Sequence, residues 1–231
     1  MRIALIHGQN HKGSSYHIGR ILAEELASEQ EITEFFLPRD LEHHCLGCYT
    51  CLENEAKCPF YAEKKTIADA MEDAELLIFT TPTYCMAPSA PLKAFMDLFF
   101  QYWIPHIPRK VMFSKKAVVI STAAGSGMGA AIKPIKRMLD YWGVPYVKTY
   151  GVAVQASKWL EVQDEKKNKI KKDMVALGKR VESARVGKPS LYIRFLFGVM
   201  ASVRRKNPDY MVSESVHWRE NGWLDGVKPW K

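Results

Sequence analysis

Residues 2–15 read RIALIHGQNHKGSS, an apolar run that stops at a glycine and continues as a polar loop. The run Arg2–His7 predicts a buried parallel strand, because strands covered on both faces are continuously apolar. The loop leads into an amphipathic helix, which Ser14 or Ser15 is expected to cap. Unpaired N–H groups and the helix dipole at such an N-terminus favour an anion. The chain therefore begins with a strand–loop–helix unit suited to binding a phosphate.

Strand and helix patterns continue to alternate along the chain to about residue 185. Four more strands are predicted, at Glu31–Leu37, Leu76–Thr81, Lys116–Thr122 and Pro145–Val154. Parallel strands need crossover helices, so this alternation predicts an α/β protein with a doubly wound, five-stranded parallel sheet and helices on both faces. A boundary is expected near Gly187. It separates one domain, 1–187 with a cysteine-rich insertion at 42–60, from a helical and aromatic C-terminal extension, 188–231.

The net charge of +8 is concentrated in one region of the chain. Residues 166–206 contain 13 Lys and Arg against 2 Asp and Glu, so the remaining residues sum to −3. A solvated helix face is the favoured interpretation, and an anionic partner such as NADPH, nucleic acid or a membrane surface is the alternative. A nucleic-acid partner is not expected. No signal peptide or membrane span is recognised, so a cytoplasmic protein is expected.

Two later loops should lie beside the first, since ligands of such sheets bind beyond the C-terminal ends of the strands. Thr81–Pro88 is stiffened by prolines, and Tyr84 offers an aromatic face to a planar ring. Ala123–Gly129 is rich in small residues, whose backbone amides can approach a flat heterocycle. Residues 125–130 also form a G-x-G-x-x-A pattern, but the next strand ends without an acid to hold a ribose, so a dinucleotide site is disfavoured.

Three motifs occur in order along residues 2–155: Gly8…Ser14-Ser15, Thr81-Pro82-Thr83-Tyr84 and Leu92-Lys93-Ala94-Phe95-Met96-Asp97. In this order they resemble the flavodoxin-like NAD(P)H-dependent FMN reductases and, within them, the iron-sulfur flavoproteins. Gln9 and His11 stand where serine and arginine are common in that family. The resemblance implies the flavodoxin-like strand order 2-1-3-4-5, an FMN phosphate on the first loop and the isoalloxazine ring between the other two.

The residues implied to bind FMN come from these three loops. They are Gln9, His11, Lys12, Ser14, Ser15 and Tyr16 in the first, Pro82, Thr83, Tyr84, Cys85 and Met86 in the second, and Ala123, Ala124, Gly125, Ser126 and Gly127 in the third. Tyr84 and Ser126 are the candidates for positioning the ring, and no catalytic acid or base is assigned. Cys85 is expected to be a small apolar neighbour of the ring.

Four of the five cysteines, Cys45, Cys48, Cys51 and Cys58, follow the spacing C-x2-C-x2-C-x6-C. In a chain without a secretory signal, clustered cysteines indicate metal ligands or redox groups rather than disulfides. Three thiolates at intervals of three and a fourth nearby can surround a [4Fe-4S] cluster. The iron-sulfur flavoproteins that the chain resembles carry a compact four-cysteine motif at this place. Two alternatives stay open, namely thiols without a metal and a structural zinc site with four cysteine ligands.

The predicted function is an FMN-dependent oxidoreductase that moves electrons from NAD(P)H to a quinone, a flavin or another small acceptor, with or without a [4Fe-4S] cluster as a second centre. An electron carrier reduced by ferredoxin instead of NAD(P)H is the first alternative. An FMN-binding protein whose basic tail contacts an anionic partner is the second. A homodimer or homotetramer is expected, with the C-terminal extension as a packing or subunit surface.

Overall fold

The computed structural model describes residues 1–230 and contains one sheet with helices on both faces. The strands are β1 (Ile3–His7), β2 (Ile32–Phe36), β3 (Leu76–Tyr84), β4 (Ala87–Pro88), β5 (Lys116–Ala123) and β6 (Tyr146–Ala153). Five of the described strands are parallel and lie in the order β2-β1-β3-β5-β6. The predicted α/β class, the doubly wound sheet and the relative order of its parallel strands are therefore confirmed.

The sheet differs from the prediction in one detail, the short strand β4. Its two residues pair antiparallel with the end of β3. Along the chain, this extra strand falls between the predicted third and fourth strands, which remain neighbours in the sheet. β3 also runs beyond its predicted end, through Pro82 to Tyr84. Because β1 ends opposite Thr80, one side of β3 has no partner strand at Pro82, and a proline without an N–H is tolerated there.

Helices cover both faces of the sheet. Within residues 1–230 they are α1 (Ser14–Leu26), α2 (Thr50–Glu53), α3 (Tyr61–Asp73), α4 (Ala90–Leu98), α5 (Met128–Tyr141), α6 (Asp164–Ser183), α7 (Leu191–Lys206) and α8 (Val212–Glu220). α1 and α6 bury Leu22 and Met174 in one apolar cluster, and α3, α4 and α5 contribute Ile67, Phe95 and Leu139 to the other. The continuously apolar centre of β3 is thus buried on both faces.

The helices α7 and α8 build a third apolar cluster against the segment that follows α4. Its buried members include Ile104, Phe113, Phe197, Trp218 and Trp223. The predicted helical and aromatic extension is therefore present, while the domain boundary near Gly187 and the role of a subunit surface stay predictions. None of the helices in residues 1–230 combines the length and the apolar character needed to cross a bilayer.

Candidate functional site

The loops after β1 and β3 are joined at the C-terminal edge of the sheet. The Gly8 N–H donates to the Thr80 carbonyl (2.7 Å), and the Ser89 hydroxyl donates to the Gly8 carbonyl. The Ser89 N–H donates to the Thr81 hydroxyl oxygen (3.0 Å). These residues are buried, so the hydrogen bonds are shielded from water and fix one loop relative to the other.

The segments after β5 and β6 reach the same edge. The N–H groups of Val154 and Gln155 donate to the carbonyls of Ala123 and Ala124, over 2.9 and 3.0 Å. β6 is parallel to β5, so its C-terminal end faces the same side as the other strand ends. Four segments therefore surround this edge, one more than the three loops compared in the sequence.

An open cleft of about 310 Å³ lies between these segments, a size typical of small-molecule and cofactor sites. Eight of the residues predicted to bind FMN line it: His11, Ser14, Ser15, Pro82, Thr83, Tyr84, Ala123 and Ala124. Five other lining residues were not predicted from the sequence: Gly13, Thr122, Val154, Ala156 and Ser157. The end of the predicted fifth strand is the signal that could have found the last three, since the ends of parallel strands meet at one edge.

The N-terminus of α1 opens into this cleft without a side-chain cap. Gly13 is the N-cap residue, and among the described residues no side chain caps the helix and no acid lies in its first turn. The expectation that Ser14 or Ser15 is the cap is wrong, because both are helical residues, buried at the cleft wall. The first N–H groups of the helix, two hydroxyls and the helix dipole together form a donor set that fits a phosphate.

The cleft lining also includes an aromatic side chain and small residues. Tyr84 is 47% exposed at the rim, and the neighbouring Thr83 hydroxyl is hydrogen-bonded to the Ser121 hydroxyl (2.9 Å). Ala123 and Ala124 have short side chains, so the backbone at the end of β5 stays accessible. A planar heterocycle can stack on such a tyrosine while its edge approaches the backbone. The lining residues therefore fit FMN.

Eight predicted residues lie outside the cleft lining: Gln9, Lys12, Tyr16, Cys85, Met86, Gly125, Ser126 and Gly127. The ring centroid of Tyr16 lies 5.0 Å from that of His7, and the Lys12 ammonium lies 5.2 Å from the Tyr16 ring. Gly127 has a φ of 97° and faces the sulfur of Met86, so the β3–β4 turn contacts the loop after β5. Contacts of these eight residues with FMN stay predictions.

His7 lies directly beneath the first loop, at the end of β1. Its Nδ1 is 2.9 Å from the Thr80 hydroxyl, and its Nε2 is 3.4 Å from a carboxylate oxygen of Glu34. Burial lowers the pKa of His7, and the positive charges of Arg20 and Lys12 act in the same direction against the opposing effect of Glu34. The imidazole is therefore mainly neutral at pH 7 and supports the strand end through hydrogen bonds.

The four clustered cysteines face a second cavity, next to α3 and α4. Cys51 is buried, Cys45 and Cys58 are partly buried, and Cys48 is exposed. Burial raises the pKa of Cys51 to about 11. The pKa of Cys48 is lowered by hydrogen bonds to Thr50, whose hydroxyl lies 3.2 Å from the Cys48 sulfur. Hydrogen bonds to cysteine sulfur are among the features that tune iron-sulfur centres.

The described residues contain no group of three or more His, Cys, Asp or Glu side chains that could hold a metal ion, so neither the predicted [4Fe-4S] cluster nor a zinc site is shown by this structure. A zinc site with four cysteine ligands needs sulfurs about 3.8 Å apart, since all four bind one ion at about 2.3 Å. In a [4Fe-4S] cluster each thiolate binds a different iron, so four sulfurs need only surround a shared space. The adjacent His43 is hydrogen-bonded to Glu63 (2.7 Å) and stacks on Phe60, so the cavity has only sulfur ligands to offer.

A buried cation completes the wall of the cysteine cavity. Lys64 is only 1% exposed, and its ammonium has no hydrogen-bond partner among the described residues. A buried cation without a partner is unfavourable beside an apolar ligand and favourable beside an anionic group. The cavity thus brings four cysteine side chains and one buried lysine together.

The strand order and the open cleft beyond the strand ends define a flavodoxin-like fold. A family model described as NADPH-dependent FMN reductase matches residues 1–158, a range that includes every lining residue of the cleft. The chain belongs to this family. The resemblance predicted from the three ordered motifs is therefore confirmed.

Individual relatives agree with this assignment. An iron-sulfur flavoprotein of Methanocaldococcus jannaschii is 34% identical over 87 residues, which cover 37% of this chain and 45% of that protein. The chain thus spans less than half the length of that curated relative.

Among solved structures, the NAD(P)H:quinone oxidoreductase of Methanothermobacter marburgensis has a TM-score of 0.60 at 16% identity, covering 80% of this chain and 98% of that one. An FMN-dependent NADH-azoreductase of Bacillus anthracis in complex with FMN has a TM-score of 0.52 at 15% identity, with 77% and 100% covered. At such identities the likeness shows the fold.

Proposed function

We propose that this protein is an FMN-dependent oxidoreductase that takes electrons from NAD(P)H and delivers them to a quinone, a flavin or another small acceptor. The observation that carries the proposal is the cleft at the strand ends, where an uncapped helix N-terminus and an aromatic rim face one open space. The family match supports it independently. FMN, when bound, supplies the hydride and electron chemistry of the reaction.

The residues of the cleft bind and orient the cofactor. The N–H groups at the start of α1 and the hydroxyls of Ser14 and Ser15 hold the phosphate. Tyr84 contacts one face or edge of the ring, and the backbone of Ala123 and Ala124 borders it. The cleft is open to solvent, so a nicotinamide and then an acceptor can reach the ring in turn.

We further propose that Cys45, Cys48, Cys51 and Cys58 hold a [4Fe-4S] cluster as a second redox centre. They face one cavity, and their spacing is compatible with cluster ligation. The 34%-identical relative is an iron-sulfur flavoprotein, which supports the same assignment. The raised pKa of Cys51 means that this thiol releases its proton when it becomes a ligand.

The first test is the composition of anaerobically purified protein. We expect about one FMN per chain, and iron and sulfide that are lost in Cys45→Ser and kept in Cys85→Ser. Cys85 is the matched control, because it is an exposed cysteine outside the cysteine cavity. Iron that is absent from the unmodified protein would refute the cluster and leave the FMN proposal standing.

The second test is anaerobic reduction by nicotinamides. We expect NADH or NADPH to bleach the flavin absorption, and failure of both would refute the proposed electron donor.

Ser14→Ala should weaken FMN binding about 10-fold to 100-fold, because a hydrogen bond to a charged group contributes about 1.5–3 kcal/mol. Ser183→Ala, on the exposed end of α6, is the control and should bind FMN unchanged.

One observation favours a second candidate, an electron carrier that exchanges electrons with ferredoxin. Cys48 is exposed, so a centre held by this cysteine would come close to the surface and to a protein partner. Rapid flavin reduction by reduced ferredoxin, without any reduction by NADH or NADPH, would select this function.

The homodimer or homotetramer stays a prediction, and sedimentation of the holoprotein tests it.

A further inference from the structure

Lys64 occupies an unusual position for a lysine. It lies on α3, which packs beside the cysteine cavity, and its side chain is 1% exposed. Among the described residues its ammonium has no hydrogen-bond partner. The phenyl ring of Phe99 lies beside it, with its centroid 5.5 Å from Nζ.

A second buried lysine shows how the chain satisfies such a group elsewhere. Lys115 is 5% exposed, and its ammonium donates to the backbone carbonyls of Glu72 (2.7 Å) and Ala74. Burying a charge without a partner is unfavourable, because the ammonium loses its water and gains nothing in exchange. A cation–π contact with one ring replaces only part of that hydration. Lys64 therefore lacks the compensation that Lys115 receives.

The carboxylates around α3 do not supply the missing partner, because each is bound to another cation or donor. Glu63 is hydrogen-bonded to His43, and Glu72 pairs with Arg109 and Tyr102. The wall that Lys64 shares with the four cysteines otherwise consists mainly of apolar side chains such as Phe60, Leu98 and Phe100. The four sulfurs line the same wall and supply negative charge to this ammonium only as thiolates.

We propose that Lys64 is the counter-cation of the four-thiolate centre and raises the reduction potential of that centre. This inference rests on the proposed iron-sulfur assignment. Reduction adds one negative charge to a centre that is already anionic, and a fixed positive charge in a water-poor cavity stabilises the reduced form more than the oxidised form. Lys64 acts through its charge on the centre and makes no bond to substrate.

Three substitutions of Lys64 and one neighbouring control test the proposal in the anaerobic holoprotein. Lys64→Met removes the charge and keeps much of the volume, Lys64→Gln is a second neutral variant in case the first does not fold, and Lys64→Arg keeps the charge. Lys65→Met is the matched control, because Lys65 is the next residue on α3 but is exposed and paired with Asp69. The readouts are iron content and the midpoint potential from a redox titration followed by EPR.

We expect the neutral variants to lower the reduced-to-oxidised ratio at a fixed potential at least tenfold, which is about 59 mV for a one-electron couple. Lys64→Arg and Lys65→Met should stay within a factor of about three of the unmodified protein. Loss of iron in both neutral variants, with iron kept in Lys64→Arg, would equally support a required positive charge.

Two results would overturn the inference while the iron-sulfur assignment stands. One is an unchanged midpoint potential in an iron-containing neutral variant. The other is loss of iron from Lys64→Arg as well as from the neutral variants, which would show that Lys64 acts by packing. If the unmodified protein contains no iron and sulfide, the iron-sulfur assignment itself is refuted, and the proposed role of Lys64 is refuted with it.

Discussion

Replacing Gly8 by alanine tests whether the strand-end junction builds the cleft. An added Cβ at Gly8 would lie 2.8 Å from the Ser89 hydroxyl, 2.9 Å from the Thr80 carbonyl oxygen and 3.2 Å from the Leu92 Cβ. The carbonyl oxygen belongs to the central strand β3 and cannot move without disturbing the sheet. The end of β1 must therefore shift away from β3, against the two hydrogen bonds that Gly8 makes.

The magnitude follows from those two bonds. Each buried hydrogen bond contributes about 0.5–1.5 kcal/mol, and a buried group left unpaired costs about 1–3 kcal/mol. Replacing glycine by alanine returns about 0.4–1 kcal/mol by restricting the unfolded chain. The expected net loss in the free energy of unfolding is about 2–3 kcal/mol. For a chain of this size that corresponds to a fall in Tm of about 4–12 °C.

Chemical denaturation of the FMN-free protein measures this loss without involving the cofactor, and a fluorescence titration then measures FMN affinity. Gly125→Ala is the matched control, because the described residues place nothing within 4 Å of a Cβ at Gly125. Its unfolding free energy should change by less than about 0.5 kcal/mol. If Gly8→Ala were as stable as Gly125→Ala, the close approach at Gly8 would not hold the two loops together.

Three further predictions concern the extension, the first strand and the cleft. Glu214→Ala leaves the buried guanidinium of Arg204 without its carboxylate, so denaturation should show a loss of about 3–5 kcal/mol. Burial lowers the pKa of His7 below its ordinary value of 6.5, so the unfolded chain binds more protons than the folded chain near that pH. The free energy of unfolding should therefore fall as the pH drops below about 6.5, and denaturant titrations at several pH values measure it. Tyr84→Ala should leave stability unchanged, since Tyr84 is half-exposed, and weaken FMN binding about 2-fold to 10-fold in a fluorescence titration.

Each of these predictions has a control and a contrary outcome. Glu165→Ala, an exposed acid on α6, should cost less than about 0.5 kcal/mol, and an equal loss in both variants contradicts the buried pair. Burial also lowers the pKa of His217, so His7→Gln should flatten only part of the pH dependence, and an unaltered curve contradicts the role of His7. Tyr84→Phe should bind FMN normally; a loss equal to that of Tyr84→Ala argues against ring stacking.

The central features of the fold were readable from the sequence because they depend on local pattern. The apolar runs at Ile3–His7 and Leu76–Thr81 are buried strands, since a parallel strand covered on both faces needs apolar side chains on each of them. Parallel strands end at one edge, so the loops that follow them could be expected to meet. Strand β4 was not predictable in this way, because a strand of two residues is too short to carry a periodic signal.

The fold class, the family and the group of four cysteines could thus be predicted from composition, spacing and ordered motifs. Each of these features is encoded in residues that are neighbours in the chain. Packing alone decided which side chains face a shared space. It brought Val154, Ala156 and Ser157 to the cleft and turned Tyr16 toward His7. It also buried Lys64 beside the cysteines, although a lysine on an amphipathic helix normally reaches water. These contacts depend on how the helices and loops pack on the sheet, and only the folded chain sets the distances between them.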